Sequence, residues 1–293
     1  MRPTDPWWVR RWRDSMQLMR FDKPIGIWLL LWPVLWALWV AGEGHPNETI
    51  FVIFVVGAVV MRAAGCIAND LTDRNIDPFV RRTRDRPLAA RRLSPYEAML
   101  MLALLGGVAL YLVAQLDPLT LRLAFLGAAL TLAYPFFKRF FPAPQLVLGV
   151  AFGYGVPMAF VAQYGNLPRV GWLLFIAAIF WALIYDTEYA MVDRDDDLKI
   201  GVRSTAIIFG DLDRLFVAAL QLLMLTTLYL AGTSMRYGHW YQAGLVFAAG
   251  FFVYQQWLIR RRDAEGCFRA FLNNNYVGMC IFAGLLLEYS LSG

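Results

Sequence analysis

The sequence predicts an all-α fold, a polytopic membrane protein of about nine transmembrane helices, and three observations lead there. Hydrophobic residues make up 59% of the 293 positions and charged ones only 17%, with a mean hydropathy of +0.49, which disfavours a soluble globule of this length. The apolar residues gather in about nine runs of the roughly 20 residues needed to cross a bilayer. If those runs alternate in direction, 23 of the 27 Lys and Arg residues fall on one side, the pattern of cytoplasmic loops. Aromatics at 15% speak against disorder, and the three cysteines, Cys66, Cys267 and Cys280, are too few for a disulfide scaffold.

Taken in order, residues 1–20 form a tail rich in Trp and Arg, expected to be cytoplasmic and amphipathic. Trp7, Trp8 and Trp12 among Arg10, Arg11 and Arg13 read as an interfacial anchor. No small-residue cleavage site follows the first apolar run, so that run is expected to stay as an anchored helix. The runs lie near 25–42, 49–68, 96–115, 119–138, 145–164, 170–191, 214–233, 240–258 and 270–289. Connections after the second, fourth, sixth and eighth carry seven, two, four and four Lys or Arg, whereas the other side holds Arg122, Arg169 and Arg236. This puts the N-terminus in the cytoplasm and the C-terminus on the outer side. The spans leave no room for a separate soluble unit, so 1–293 is read as a single transmembrane domain. The net charge of +5 follows from the same asymmetry, and carboxylates interrupt the basic loops, so nucleic-acid binding is not expected. No obligate protein partner is evident. Gly149 and Gly153, spaced by one turn on an apolar run, read as a close helix contact.

Carboxylates are costly in or near a bilayer, so their clustering is informative. At the end of the second run the chain reads Asn69-Asp70-Leu71-Thr72-Asp73-Arg74-Asn75-Ile76-Asp77. A continuing helix would put Asn69, Asp73 and Asp77 on one face, although Pro78 disfavours helix at Asp77. The sixth run ends in a second cluster, where Asp186, Asp193 and Asp197 share a face and Asp195 points nearly opposite. Asp195 and Asp196 are expected to be solvated. Acids stacked on one helix face repel one another, and two such faces in one chain call for cations. Oxygen-only ligands favour Mg²⁺, which completes its shell with water and phosphate, so the two walls are expected to face each other across a diphosphate. The matching positive charges are Arg81, Arg82, Arg84 and Arg86 after the first cluster, and Lys199 and Arg203 after the second. Arg62 precedes Asn69 by two helical turns on the same face and could equally pair with a backbone carbonyl or a carboxylate of the first cluster or hold a substrate carboxylate, a role for which Arg74 and Lys138 compete.

At these residues the sequence resembles the UbiA superfamily of intramembrane aromatic prenyltransferases, most closely its branch that uses 4-hydroxybenzoate. The resemblance also covers Asp22-Lys23-Pro24-Ile25-Gly26, Met61-Arg62-Ala63-Ala64-Gly65-Cys66, Tyr134-Pro135-Phe136-Phe137-Lys138, Gly201-Val202-Arg203-Ser204-Thr205-Ala206 and Asn273-Asn274-Asn275-Tyr276-Val277-Gly278. The family's first motif falls on Asn69, Asp73 and Asp77, with Asp70 beside it, and its second on Asp193 and Asp197, with Asp186 further into the membrane. The resemblance implies helices around a central cavity, capped on the cytoplasmic side by the two Asp-rich loops. It implies Mg²⁺-dependent transfer of a polyprenyl group from polyprenyl diphosphate to the ring carbon ortho to the hydroxyl of 4-hydroxybenzoate, in ubiquinone biosynthesis. Asn69, Asp70, Asp73, Asp77, Asp193 and Asp197 would hold the metal, and Arg81, Arg82, Arg84, Arg86, Lys138, Lys199 and Arg203 the diphosphate.

Both histidines, His45 and His239, lie at the opposite side from the acids, which fits a reaction driven by leaving-group departure rather than by a nucleophile. Tyr134, Tyr185 and Tyr189 are candidates to steady an allylic cation, or belong to the interfacial aromatic belt. Asp186 or the departing diphosphate would take the ring proton. The alternatives are a related acceptor (dihydroxynaphthoate, homogentisate or haem) and, from another class, a cation-coupled transporter. The latter is disfavoured because its ionisable groups would sit near the midplane.

Overall fold

The computed structural model describes residues 5–80, 83–137, 141, 143–201 and 204–291, and these are helical with no strand among them. A short helix α1 (Trp7–Leu18) precedes α2 (Ile25–Ala41), α3 (Glu48–Asp73), α4 (Pro95–Val113), α5 (Pro118–Phe137), α6 (Pro144–Gly153) and α7 (Gly155–Tyr164). There follow α8 (Arg169–Ile200), the single turn α9 (Thr205–Ile208), α10 (Asp213–Met235), α11 (His239–Leu258) and α12 (Ala264–Leu291). Each of the predicted apolar runs falls on helix among the described residues, the fifth being shared by α6 and α7, which meet at Tyr154 between two glycines. Among the described residues seven segments are long and apolar enough to cross a membrane, and α2, at 17 residues, is shorter.

Local chemistry sets the helix ends. The Asn47 side chain accepts from the Ile50 amide to start α3. Ser94 and Glu97 form a reciprocal capping box around Pro95 to start α4. Gly201, at φ +71°, ends α8 in the left-handed conformation that glycine tolerates best. At 32 residues α8 is about 48 Å long against an apolar core of about 30 Å, so its last turns project beyond the apolar layer and carry their carboxylates out of it. It therefore outruns the predicted boundary at 191. Helix α3 likewise outruns its predicted boundary at 68, and it gives out before Asp77, as Pro78 leads the sequence to expect. Helix α3 stops at Asp73, the chain turns through Arg74–Ile76, and Asp77 opens a separate 3-10 turn with Pro78. Proline removes a backbone donor and disfavours helix in the residue before it, so the single face does not extend to Asp77.

Helix α8 is the axis of the bundle: 61% of its apolar window is buried, against 6% for α4 and 11% for α5. Trp36 of α2 stacks on Trp181 of α8 with ring centroids 5.2 Å apart. The indole of Trp181 donates to Asn274 Oδ1 (2.9 Å), that of Trp32 to Asn275 Oδ1 (2.9 Å), and that of Trp36 to the Gly278 carbonyl (3.2 Å). Buried tryptophans need such partners, and here they tie α2 and α8 to α12. Gly149 of α6 lies against α8, where an added Cβ would stand 3.1 Å from the Ile179 carbonyl. Helix α4 packs on α3 and barely touches α5.

Candidate active site

A cavity of approximately 1430 Å³ runs through the half of the bundle bounded by α2, α3, α4, α5, α6 and α8. Its wall on α3 recurs at Ile53, Phe54, Gly57, Ala58, Met61, Arg62, Gly65, Cys66 and Asn69, one face of the helix over about 24 Å. Apolar residues line the deep part, down to Leu116 and Leu121 beside the α4–α5 turn. Charged residues line the other end. There α3 contributes Asn69 and Asp70, and α8 contributes Asp186, Asp193 and Asp197. Asp195 is exposed on the far side of α8. Spacing of about 100° per residue thus puts three carboxylates of α8 into one cavity.

The first acid wall is already balanced by arginine. Both Asp70 oxygens accept from Arg20 Nη2 at 2.9 Å, and Arg86 Nη1 donates to Asp70 Oδ1 (3.0 Å) and to Asp77 Oδ2 (2.9 Å). Asp70 is 1% exposed and Asp77 6%. Burial raises the Asp77 carboxyl above its ordinary value against the pull of Arg86. Arg92 bonds Asp14 and Gln17 and so fastens α1 to the same loop. Arg20, at φ +62° in the turn between α1 and α2, was legible in the sequence only as one more charge beside a span.

Arg62 enters the cavity from α3. Its guanidinium carbon lies 5.8 Å from the centroid of the Phe152 ring, and its Nε is buried without a hydrogen-bond partner among the described residues. Gly26 of α2 makes the room, since a methyl group there would collide with that guanidinium. Arg74, in contrast, is exposed, donates to the Leu71 carbonyl at 3.0 Å and lies outside the cavity wall. Arg84 and Lys199 are exposed and also lie outside it, as do Asp73 and Asp77. Arg81, Arg82, Lys138 and Arg203 lie outside the described residues.

Three tyrosines, Tyr134, Tyr185 and Tyr189, join the carboxylates in the cavity lining. Tyr185 meets Trp181 edge-on at 5.7 Å, and Tyr189 lies 4.8 Å from Phe271, so neighbouring rings fix both. Tyr134 lies within electrostatic reach of both Asp186 and Asp73. Among the described residues no three acidic, histidine or cysteine side chains converge tightly enough to hold a metal ion alone. Donors spread over two walls and made only of oxygen suit a hard cation that keeps water and shares a phosphate ligand, as Mg²⁺ does. The arrangement can bind an anionic head at one end and a long apolar tail below it.

The description "UbiA prenyltransferase family" belongs to the family model that matches residues 30–279. A Coxiella burnetii protein named 4-hydroxybenzoate octaprenyltransferase is 54% identical over 274 residues, covering 94% of this chain and 96% of its own. A Pseudomonas fluorescens protein of the same name is 52% identical over 282 residues, covering 96% and 95%. Among solved structures, the apo form of a UbiA homolog from Aeropyrum pernix K1 superposes with a TM-score of 0.79 at 24% identity, over 90% of this chain and 97% of that one. A UbiA homolog from Archaeoglobus fulgidus bound to GPP and Mg²⁺ gives 0.73 at 15% identity, over 95% and 100%. At those identities the two structures show a shared fold.

Proposed function

This chain belongs to the UbiA prenyltransferase family, and we propose that it transfers a polyprenyl group from polyprenyl diphosphate to the ring carbon ortho to the hydroxyl of 4-hydroxybenzoate, releasing diphosphate, in ubiquinone biosynthesis. The observation that carries this reading is one cavity with carboxylates at its mouth, an unpartnered arginine nitrogen below them and an apolar gallery beyond. Relatives named 4-hydroxybenzoate octaprenyltransferase, at 52% to 54% identity, support the acceptor.

The chain is an integral membrane protein. Its basic connections and its acid end face the cytoplasm of a bacterial inner membrane, its C-terminus faces the periplasm, and residues 1–293 act as one domain with an amphipathic tail at 1–20. Asn69 in the cavity wall, Asp73 at the end of α3 beside it, and Asp193 and Asp197 of α8 would hold Mg²⁺ together with the diphosphate. When bound, that ion would supply positive charge against the negative charge that grows on diphosphate. Arg86 is shared between Asp70 and Asp77. A diphosphate that draws its guanidinium away leaves Asp77 open as a further ligand, while Asp70 keeps its pairing with Arg20. Arg81, Arg82, Arg84, Lys138, Lys199 and Arg203 supply charge around the departing group.

The C–O bond breaks with its electron pair on diphosphate, and the allylic carbon is left cationic. The rings of Tyr134, Tyr185 and Tyr189 steady that cation by about 1–2 kcal/mol each where water is excluded. A π-electron pair of the hydroxybenzoate ring closes the new C–C bond. The ring proton then leaves to Asp186 or to diphosphate. Arg62 holds the acceptor carboxylate through its unpartnered nitrogen, with Arg74 as the exposed alternative.

The test is a transfer assay on membranes containing the protein, with 4-hydroxybenzoate and an allylic polyprenyl diphosphate, in Mg²⁺ and then in EDTA. Prenylated hydroxybenzoate is expected with Mg²⁺ alone. No product from folded, inserted protein would overturn the acceptor assignment and send the search to dihydroxynaphthoate, homogentisate and haem substrates.

A further inference from the structure

Glycine inside a helix costs roughly 1 kcal/mol relative to alanine, so a glycine in a span usually has a packing reason. Most glycines of the bundle show one. A Cβ at Gly278 would stand 2.5 Å from the Trp32 ring, and one at Gly155 2.6 Å from Val34. Gly57 of α3 and Gly106 of α4 are different, because a Cβ at either would meet nothing within 4 Å. Both line the cavity.

Their positions along the cavity agree. Ile67 of α3 and Ala98 of α4 pack in one cluster and so mark a common level. Counting inward at 1.5 Å per residue, Gly57 lies about 15 Å from Ile67 and Gly106 about 12 Å from Ala98. The two bare backbones therefore stand at nearly the same depth on neighbouring helices, about 18 Å from Asn69 and the acid mouth. Beyond them the cavity continues to Leu116 and Leu121. A tail of a few isoprene units ends above this level, and a longer one passes it.

We infer that Gly57 and Gly106 set which prenyl chain lengths the enzyme accepts, by leaving open the part of the cavity that only long tails reach. The inference rests on the prenyl-transfer reading above. A branched side chain at either position projects into the path of the tail and leaves the diphosphate and acceptor ends untouched. Gly107 is equally open to a Cβ but does not line the cavity, and it serves as the control.

The experiment compares the wild type with Gly57→Leu, Gly106→Leu and Gly107→Leu, using 4-hydroxybenzoate and donors from geranyl to octaprenyl diphosphate. With octaprenyl diphosphate, kcat/KM is expected to fall roughly tenfold or more in the first two variants, the scale on which apolar pockets discriminate by size. With geranyl diphosphate it is expected to stay within about twofold, and Gly107→Leu to follow the wild type with every donor. An unchanged preference in both cavity variants would overturn the inference. Equal loss of short and long donors would do the same, because it would assign the glycines to packing. A wild type inactive with every donor would instead overturn the hydroxybenzoate reading on which the inference rests.

Discussion

Arg86 Nη1 donates to Asp77 Oδ2 at 2.9 Å, across a turn that begins only after α3 has ended. The same nitrogen reaches Asp70, inside α3, at 3.0 Å. One arginine thus bridges the helical and the non-helical halves of the first acid motif, and the loop that carries it becomes part of the cavity wall. Geometry that a continuous helix would have supplied is supplied here by an ion pair.

Removing Arg86 is therefore expected to act on stability as well as on turnover. Arg86→Ala leaves Asp77 buried without a countercharge and Asp70 with Arg20 alone, a change of about 3 kcal/mol on the scale of broken buried pairs. Thermal unfolding of the purified protein checks it, and an unchanged Tm would show the pairing to be incidental.

Asp193→Ala or Asp197→Ala is expected to lower transfer by roughly a hundredfold or more, as loss of one element of charge stabilisation does. Both proteins should remain in the membrane and run as a single species on size exclusion. Asp195→Ala, on the exposed side of the same helix, should keep near-wild-type turnover. Similar effects at all three positions would dissolve the distinction between the cavity face of α8 and its outer face.

Arg62→Met should raise KM for 4-hydroxybenzoate by roughly tenfold or more while moving KM for the donor far less, since a charge-assisted hydrogen bond is lost at one substrate only. Arg62→Lys should recover part of the loss. Steady-state kinetics with each substrate varied in turn separates the two, and an effect confined to the donor would move Arg62 to the diphosphate.

Glu188, fully buried on α8, accepts from Asn274 Nδ2 at 2.7 Å through one oxygen, while the other has no partner among the described residues. Only a single acceptor is in use, so Glu188→Gln is expected to fold and function as the wild type does. Asn274→Leu strands both Glu188 and the Trp181 indole, at about 1–3 kcal/mol for each buried group left unpaired. Urea or thermal unfolding in detergent would reveal a Glu188→Gln protein as unstable as Asn274→Leu, and that result would give the carboxyl a role of its own.

The helices were legible because a bilayer demands long apolar runs, and the face shared by Asp186, Asp193 and Asp197 because helical periodicity is local. The acid ends of α3 and α8 show where such reasoning weakens. Hydropathy stops where the chain turns polar, but a capped helix continues until a residue such as Gly201 ends it. Pairings made by tertiary packing left almost no local signal. Arg20 meets Asp70 across 50 residues of sequence, Glu188 meets Asn274 across 86, and Gly26 yields space to Arg62 from another helix. A glutamate turned away from the acid face of α8 was the one available hint that a buried polar network lay behind it.

The slack contact between α4 and α5, both of them bordering the cavity, bears on how the enzyme would be supplied. A donor that is itself a lipid need never leave the bilayer to reach the acids, and its product need never leave it afterwards. The concentration that governs such a catalyst is the mole fraction of donor among surrounding lipids, not its amount per volume of buffer. Adding inert phospholipid at fixed total donor should slow turnover by surface dilution, whereas the water-soluble acceptor obeys ordinary bulk saturation.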